Sequence, residues 1–157
     1  MNHGKLRDVG KKLRRMADFV IYDSAAGLGA EAISAMESAD SLVIVTNPEI
    51  PAVTDALKTS KVAEELGKDI LGVIITRVNG SKTEMPLSNI RDMMELPILG
   101  VIPEDKNMQT SLVMRDAIIH THPRSKASRA YKQVAAKIAG INGYKEETGF
   151  WGRLFGG

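Results

Sequence analysis

Cysteine is absent from the 157 residues. Disulfides, thiolate zinc sites and cysteine-ligated iron–sulfur clusters are thereby excluded, and the composition suits a reducing compartment. Aromatic residues are scarce, at 4%, yet the single tryptophan and two of the three phenylalanines fall between Phe150 and Phe155. No stretch approaches the ~20 consecutive apolar residues that a membrane-spanning helix needs. No apolar segment with a small-residue cleavage site follows the N-terminus, so no secretory signal is read. The expectation is a cytoplasmic chain that is soluble or at most lies on a membrane surface.

An apolar share of 43% and a charged share of 25% are those of a globular domain. The net charge of +2 is too small to argue for nucleic acid, and no direct nucleic-acid partner is expected. Six cations, Lys5, Arg7, Lys11, Lys12, Arg14 and Arg15, crowd the N-terminus and read as the solvated face of a short helix.

Four short runs are rich in Val and Ile and do not alternate with polar residues: Phe19 to Tyr22, Leu42 to Val45, Ile70 to Ile75 and Ile98 to Ile102. Continuous apolar runs of this length predict strands buried on both faces, as in a parallel sheet. Helical spacing separates them over Ala30 to Ala39, Val53 to Leu66 (stopped by Gly67) and Leu87 to Met94. Ser125 to Ile141 predicts a final covering helix, opened by Ser125 and closed near Gly140. The pattern predicts an α/β fold with a mostly parallel sheet and flanking helices. The domain is expected to span residues 1–141, followed by a linker at 142–147 and an amphipathic tail at 148–157.

The first predicted strand ends in Asp23 and runs into Ser24-Ala25-Ala26-Gly27-Leu28-Gly29. Ligands in open parallel sheets sit beyond the carboxyl ends of the strands, so this loop is expected at a binding crevice. A carboxylate there suits Mg²⁺, directly or through water, and a small-residue loop lets backbone N–H groups approach a phosphate.

The string DFVIYDSAAGLG resembles the Walker B and switch II segment of the MinD/ParA family, with Ala25 where that family usually has proline. ADSLVIVTNPEIPAVTDA, GVIITRVNG and ILGVIPED resemble its later landmarks in the same order. The resemblance implies a P-loop NTPase-like fold, ATP and Mg²⁺ as cofactors of the complete protein, and homodimerisation. It implies that Asp23 assists Mg²⁺ indirectly and that Gly27 senses the γ-phosphate. Thr76 and Arg77 are implied on one side of the adenine, with Pro103, Glu104 and Asp105 on the other.

No G-x-x-x-x-G-K-[ST] loop occurs in these residues, so ATP phosphates lack their N–H cradle and lysine. The chain alone is expected to be catalytically inactive, with a gap in its sheet between the strands at Phe19–Asp23 and Leu42–Thr46. A fragment, a split protein and a degenerate relative all fit the sequence.

On a helix, Phe150, Trp151, Leu154 and Phe155 fall within an arc of about 140°. Such a face either docks back on the domain or lies in a lipid interface. The ending G-F-W-G-R-L-F-G-G also resembles the family's membrane-targeting sequence. The function expected is part of an ATP-dependent, membrane-associated positioning switch for the cell-division site. It would be peripheral on the inner face of the membrane and open to a protein regulator. The alternatives are an ATP-independent membrane adapter and a degenerate regulator. His120 and His122 are expected in a loop, and Asn79-Gly80-Ser81 in a turn.

Overall fold

The computed structural model describes residues 3–141. Along them run α1 (His3–Leu13), α2 (Ala30–Ser38), β1 (Ser41–Thr46), α3 (Ile50–Glu65), β2 (Asp69–Val78) and α4 (Leu87–Met94). They continue with β3 (Ile98–Pro103), α5 (Asn107–Val113), α6 (Ile118–Thr121) and α7 (Lys126–Ile138). The linker and the tail residues Phe150, Trp151, Leu154 and Phe155 lie outside the described residues.

The three strands form one parallel sheet in the order β1-β2-β3. β2 is its centre, and its apolar run is continuous because helices cover both faces. Val73 and Ile75 pack with Ile44, Val53, Ala56, Ile90 and Met94 under α3 and α4. Ile74 faces the other way, against a cluster of Ile102, Ile118, Ala127 and Val134 under α6 and α7. Val53, Val73 and Ile75 are fully buried, at ~1.5–3 kcal/mol of transfer free energy for each such side chain.

Local signals set the helix ends. The Ser125 side chain accepts the Ser128 N–H and opens α7, while Gly67 and Gly140 take φ of 66° and 70° just past α3 and α7. α3 starts earlier than its apolar spacing implies, because Pro51 fits the first turn of a helix. Lys68 Nζ donates to the carbonyls of Glu37 (2.8 Å) and Ala39 (3.0 Å), capping the end of α2.

One predicted strand is overturned. Phe19 to Tyr22 makes no ladder, and Phe19 and Ile21 are 60% and 89% exposed. A β-strand needs a neighbour for its N–H and C=O groups, and the described residues supply none for this segment. It does not close up on β1, either. Tyr22 instead rests on α1, its hydroxyl occupying the space where a side chain at Gly10 would stand. Burial of β1 on both faces is also overturned: Val45 is 61% exposed because α7 covers β3 and Ile74 but stops short of β1.

At the carboxyl end of β3, Asp105 accepts the N–H groups of Asn107 (2.9 Å) and Ala127 (3.3 Å), joining the starts of α5 and α7. The bond from Asn107 N–H is the main reason its carboxyl is held below the usual value of 3.8. A depressed carboxyl stabilises the fold above its unfolded pKa and loses that contribution as pH falls through its folded pKa. Asp105→Asn should therefore lower the melting temperature by a few degrees at neutral pH, and the gap from the parent should close below about pH 3.8 in acid titrations. A second expectation concerns Gly72, at φ 144°, where the Pro97 carbonyl accepts the Val73 N–H (2.9 Å) and presses on the glycine. Gly72→Ala should cost roughly 1–3 kcal/mol in urea unfolding through overpacking.

Candidate functional site

Thr46 and Asn47, Thr76 to Gly80, and Pro103 to Asp105 stand at the carboxyl ends of β1, β2 and β3. Thr76 Oγ1 donates to the Thr46 carbonyl (3.1 Å), tying the end of β2 to β1. Val78 pairs with Pro103, the Glu104 N–H donates to the Val78 carbonyl (2.8 Å), and Asn79 Nδ2 donates to Glu104 Oε2 (2.9 Å). The ladder skips between Ile75 and Val78, which leaves Arg77 exposed at φ 59°. A non-glycine residue in the left-handed region is strained, and such strain concentrates at ligand clamps and switch regions. The surrounding bonds of Thr76 and Val78 hold it there.

The turn after β2 is built by a residue that sequence reading passed over. The Glu84 carboxylate accepts the N–H groups of Asn79 (2.8 Å) and Gly80 (2.9 Å), with Gly80 at φ 78°. Met85 N–H donates to the Pro48 carbonyl (2.8 Å), laying the loop over the end of β1. An acidic residue a few positions after Asn-Gly was the available signal, since paired amide groups in such a turn attract a carboxylate. Asn47 was missed as well. Its Oδ1 is buried and lacks a hydrogen-bond partner, the one such side-chain atom among the described residues.

The structure thus brings together Thr76, Arg77, Pro103, Glu104 and Asp105. Asp23 and Gly27 are not joined to them: both are exposed on the segment that forms no strand, with Gly27 at φ 83°. Arg77 is left strained and exposed on the same side of the sheet as the turn at Pro103. The described residues offer the phosphates no cradle, and no cluster of three or more His, Asp or Glu residues suited to a metal ion occurs among them.

Two further features lie elsewhere. A cleft of about 150 Å³ is lined by Arg7, Lys11, Arg14, Tyr22, Asp40 and Lys68 at the amino ends of β1 and β2. None of the predicted site residues lines it, and Arg14 pairs there with Asp40. We place the site at the carboxyl ends, where strand geometry directs ligands, and not in this ion-paired cleft. His120 sits in the single turn of α6, not in a loop, with Nδ1 2.9 Å from Asp116. That contact, with the Ala117 N–H, holds the Asp116 carboxyl below its ordinary value.

Comparison with known proteins agrees with this architecture. A family model described as ParA, NUBPL iron-transfer P-loop NTPase, matches residues 9–139. An uncharacterized ATP-binding protein of Methanocaldococcus jannaschii is 37% identical over 87% of this chain and 52% of its own length. The septum site-determining protein MinD of Neisseria meningitidis is 34% identical over 94% of this chain and 59% of its own. Among solved structures, MinD of Pyrococcus horikoshii complexed with Mg-ADP superposes with a TM-score of 0.83 at 34% identity, covering 93% of this chain and 60% of that one. The chain therefore spans little more than half the length of the relatives it matches. Order of elements, parallel sheet and sequence identity agree: this chain belongs to the ParA/MinD family of P-loop NTPases.

Proposed function

We propose that the chain is the base-binding and membrane-attaching part of a MinD-like, ATP-dependent switch that positions the cell-division site. The observation that carries this reading is the convergence of Arg77, Pro103 and Glu104 at the carboxyl ends of β2 and β3, in a family whose members are P-loop NTPases. In this reading Arg77 and Pro103 flank the adenine. Thr76, Glu104 and Asp105 hold the walls through the hydrogen bonds they already make. Asp23 assists Mg²⁺ through water, and Gly27 meets the γ-phosphate once a phosphate-binding loop is present. ATP supplies the charge and the cleavable bond that make such a switch reversible.

The domain at residues 1–141 would act through the linker 142–147 on the tail 148–157. Burying Phe150, Trp151, Leu154 and Phe155 in lipid gives at most ~1.5–3 kcal/mol each. Ordering the tail costs ~1–2 kcal/mol per residue, so one tail is marginal. Two tails on a homodimer bind far more tightly, because the second attaches at high effective concentration. A nucleotide that controls pairing thereby controls peripheral attachment to the inner face of the cell membrane, and a protein regulator would act on the same equilibrium.

Two measurements test this. The purified chain should release no phosphate from Mg-ATP above buffer; steady, Mg²⁺-dependent turnover would show that the phosphate site is complete without the missing loop. In sedimentation with anionic vesicles, deletion of Phe150–Gly157 should abolish binding, and Trp151 emission should shift to shorter wavelength with vesicles present. Unchanged binding after the deletion would contradict the tail's role. Strong binding by the chain that no nucleotide alters would favour the ATP-independent adapter.

A further inference from the structure

The end of α5 is apolar on its outward side. Met108 is partly buried against the cluster under α6 and α7, and Ser111 is buried beside Thr121, their hydroxyl oxygens 2.6 Å apart. Leu112, Val113 and Met114 stand outward, 71%, 84% and 60% exposed. Backbone bonds hold them there. The Arg115 N–H donates to the Leu112 carbonyl (3.1 Å) and the Asp116 N–H to the Ser111 carbonyl (3.1 Å), with Arg115 at φ 54°. This closes the helix with a left-handed C-terminal stop. Contiguous exposed apolar side chains on a folded domain mark an interaction surface. The surface lies on the β3 side of the sheet, two strands away from β1 and the gap expected beside it.

Positive charge gathers next to it. Between residues 105 and 132, Lys106, Arg115, Arg124, Lys126, Arg129 and Lys132 stand against two acids, Asp105 and Asp116. That span carries +4, whereas the whole chain carries +2. Both acids are occupied, Asp105 by the N–H groups at the starts of α5 and α7, Asp116 by the Ala117 N–H and His120. At the start of α7, Arg129 Nη1 donates to the Arg124 carbonyl (3.1 Å) and Lys132 Nζ to the Pro123 carbonyl (3.5 Å). Ser111 Oγ lies 3.4 Å from His122 Nδ1, so these cations border the apolar end of α5.

We infer that this face of the folded domain is a docking surface for an anionic lipid bilayer. Leu112, Val113 and Met114 enter the boundary between headgroups and acyl chains, while Arg115, Arg124 and Lys126 meet the lipid phosphates. The two features together select this partner. A second copy would set like charge against like across a two-fold contact. A nucleic acid would neutralise the cations yet leave three apolar side chains against phosphate or water. The contact uses neither the nucleotide crevice nor residues 148–157. It is a second attachment, on the domain itself, and fixes how the domain sits over the lipid.

The test uses the full chain and vesicles of phosphatidylcholine mixed with phosphatidylglycerol. As the sequence has no cysteine, Val113→Cys introduces a single thiol for a polarity-sensitive fluorophore. Its emission should shift to shorter wavelength with these vesicles and stay unchanged with phosphatidylcholine alone. The same label at Lys58→Cys, exposed on α3 across the sheet, should not respond. Val113→Glu and Arg124→Glu should each weaken co-sedimentation with the vesicles by about tenfold. Their melting temperatures should match the parent, because both side chains are exposed. Trp151 emission reports the tail separately. A silent label in Val113→Cys while Trp151 responds would overturn the inference and leave the tail's role standing. Parent-like vesicle affinity in both Glu variants would overturn it, as would a chain that does not sediment with vesicles at all. So would a label already shifted before lipid is added, which would assign the patch to another segment or a second copy. A larger response to duplex DNA than to vesicles would overturn it in favour of nucleic acid.

Discussion

Burial of β2 between two helical layers is the constraint on which the rest depends. Val73 and Ile75 close one core with α3 and α4, and Ile74 closes the other with α6 and α7. With β2 fixed from both sides, its register with β1 and β3 is fixed too, and so is the height at which all three strands end. Thr46 stands level with Ile75 and Pro103 level with Val78 because of that packing. The hydrogen bonds among Thr76, Thr46, Val78 and Glu104 then lock the strand ends into a mouth. Arg77 is held strained at that mouth because its neighbours on both sides are tied down.

The same logic explains what is loose. Hydrophobic layering runs out at β1, where Val45 loses its cover, and further out the apolar segment at Phe19–Tyr22 has no sheet to join. These residues have the composition of an interior. Their exposure matches a chain that spans 52% and 59% of two relatives' lengths at 37% and 34% identity. The segment that carries Asp23 and Gly27 forms no strand, so no ladder positions it. The cluster of Arg77, Pro103 and Glu104 depends only on β2, β3 and α7, and is formed.

Legibility in the sequence followed that division. Leu42–Val45, Ile70–Ile75 and Ile98–Ile102 are strands because their partners are present within the same residues. Ser125, Gly67 and Gly140 marked helix ends through local bonding and positive φ, which act at short range. Phe19–Tyr22 carried an equally good strand pattern, yet pairing is a tertiary property that a pattern does not guarantee. α5 was not visible at all. Asn107 to Val113 is short and exposes Leu112 and Val113, so it has little apolar periodicity to detect. Arg77 and Asp105 were named through the family resemblance alone, on the strings GVIITRVNG and ILGVIPED. Glu84 left only the signal of an acid shortly after Asn-Gly, and Asn47 left none, because its importance arises from a buried atom that only the folded chain displays.

The central claim is that the carboxyl ends of β2 and β3 form the base side of a nucleotide site. The most direct test is amide chemical-shift mapping of the chain during titration with adenosine monophosphate. The account predicts shifts gathered at Arg77 to Gly80 and at Glu104 to Asn107, with little change around Arg7, Lys11 and Lys68. Shifts gathered instead at that basic cleft, or a spectrum unmoved at saturating nucleotide, would contradict it.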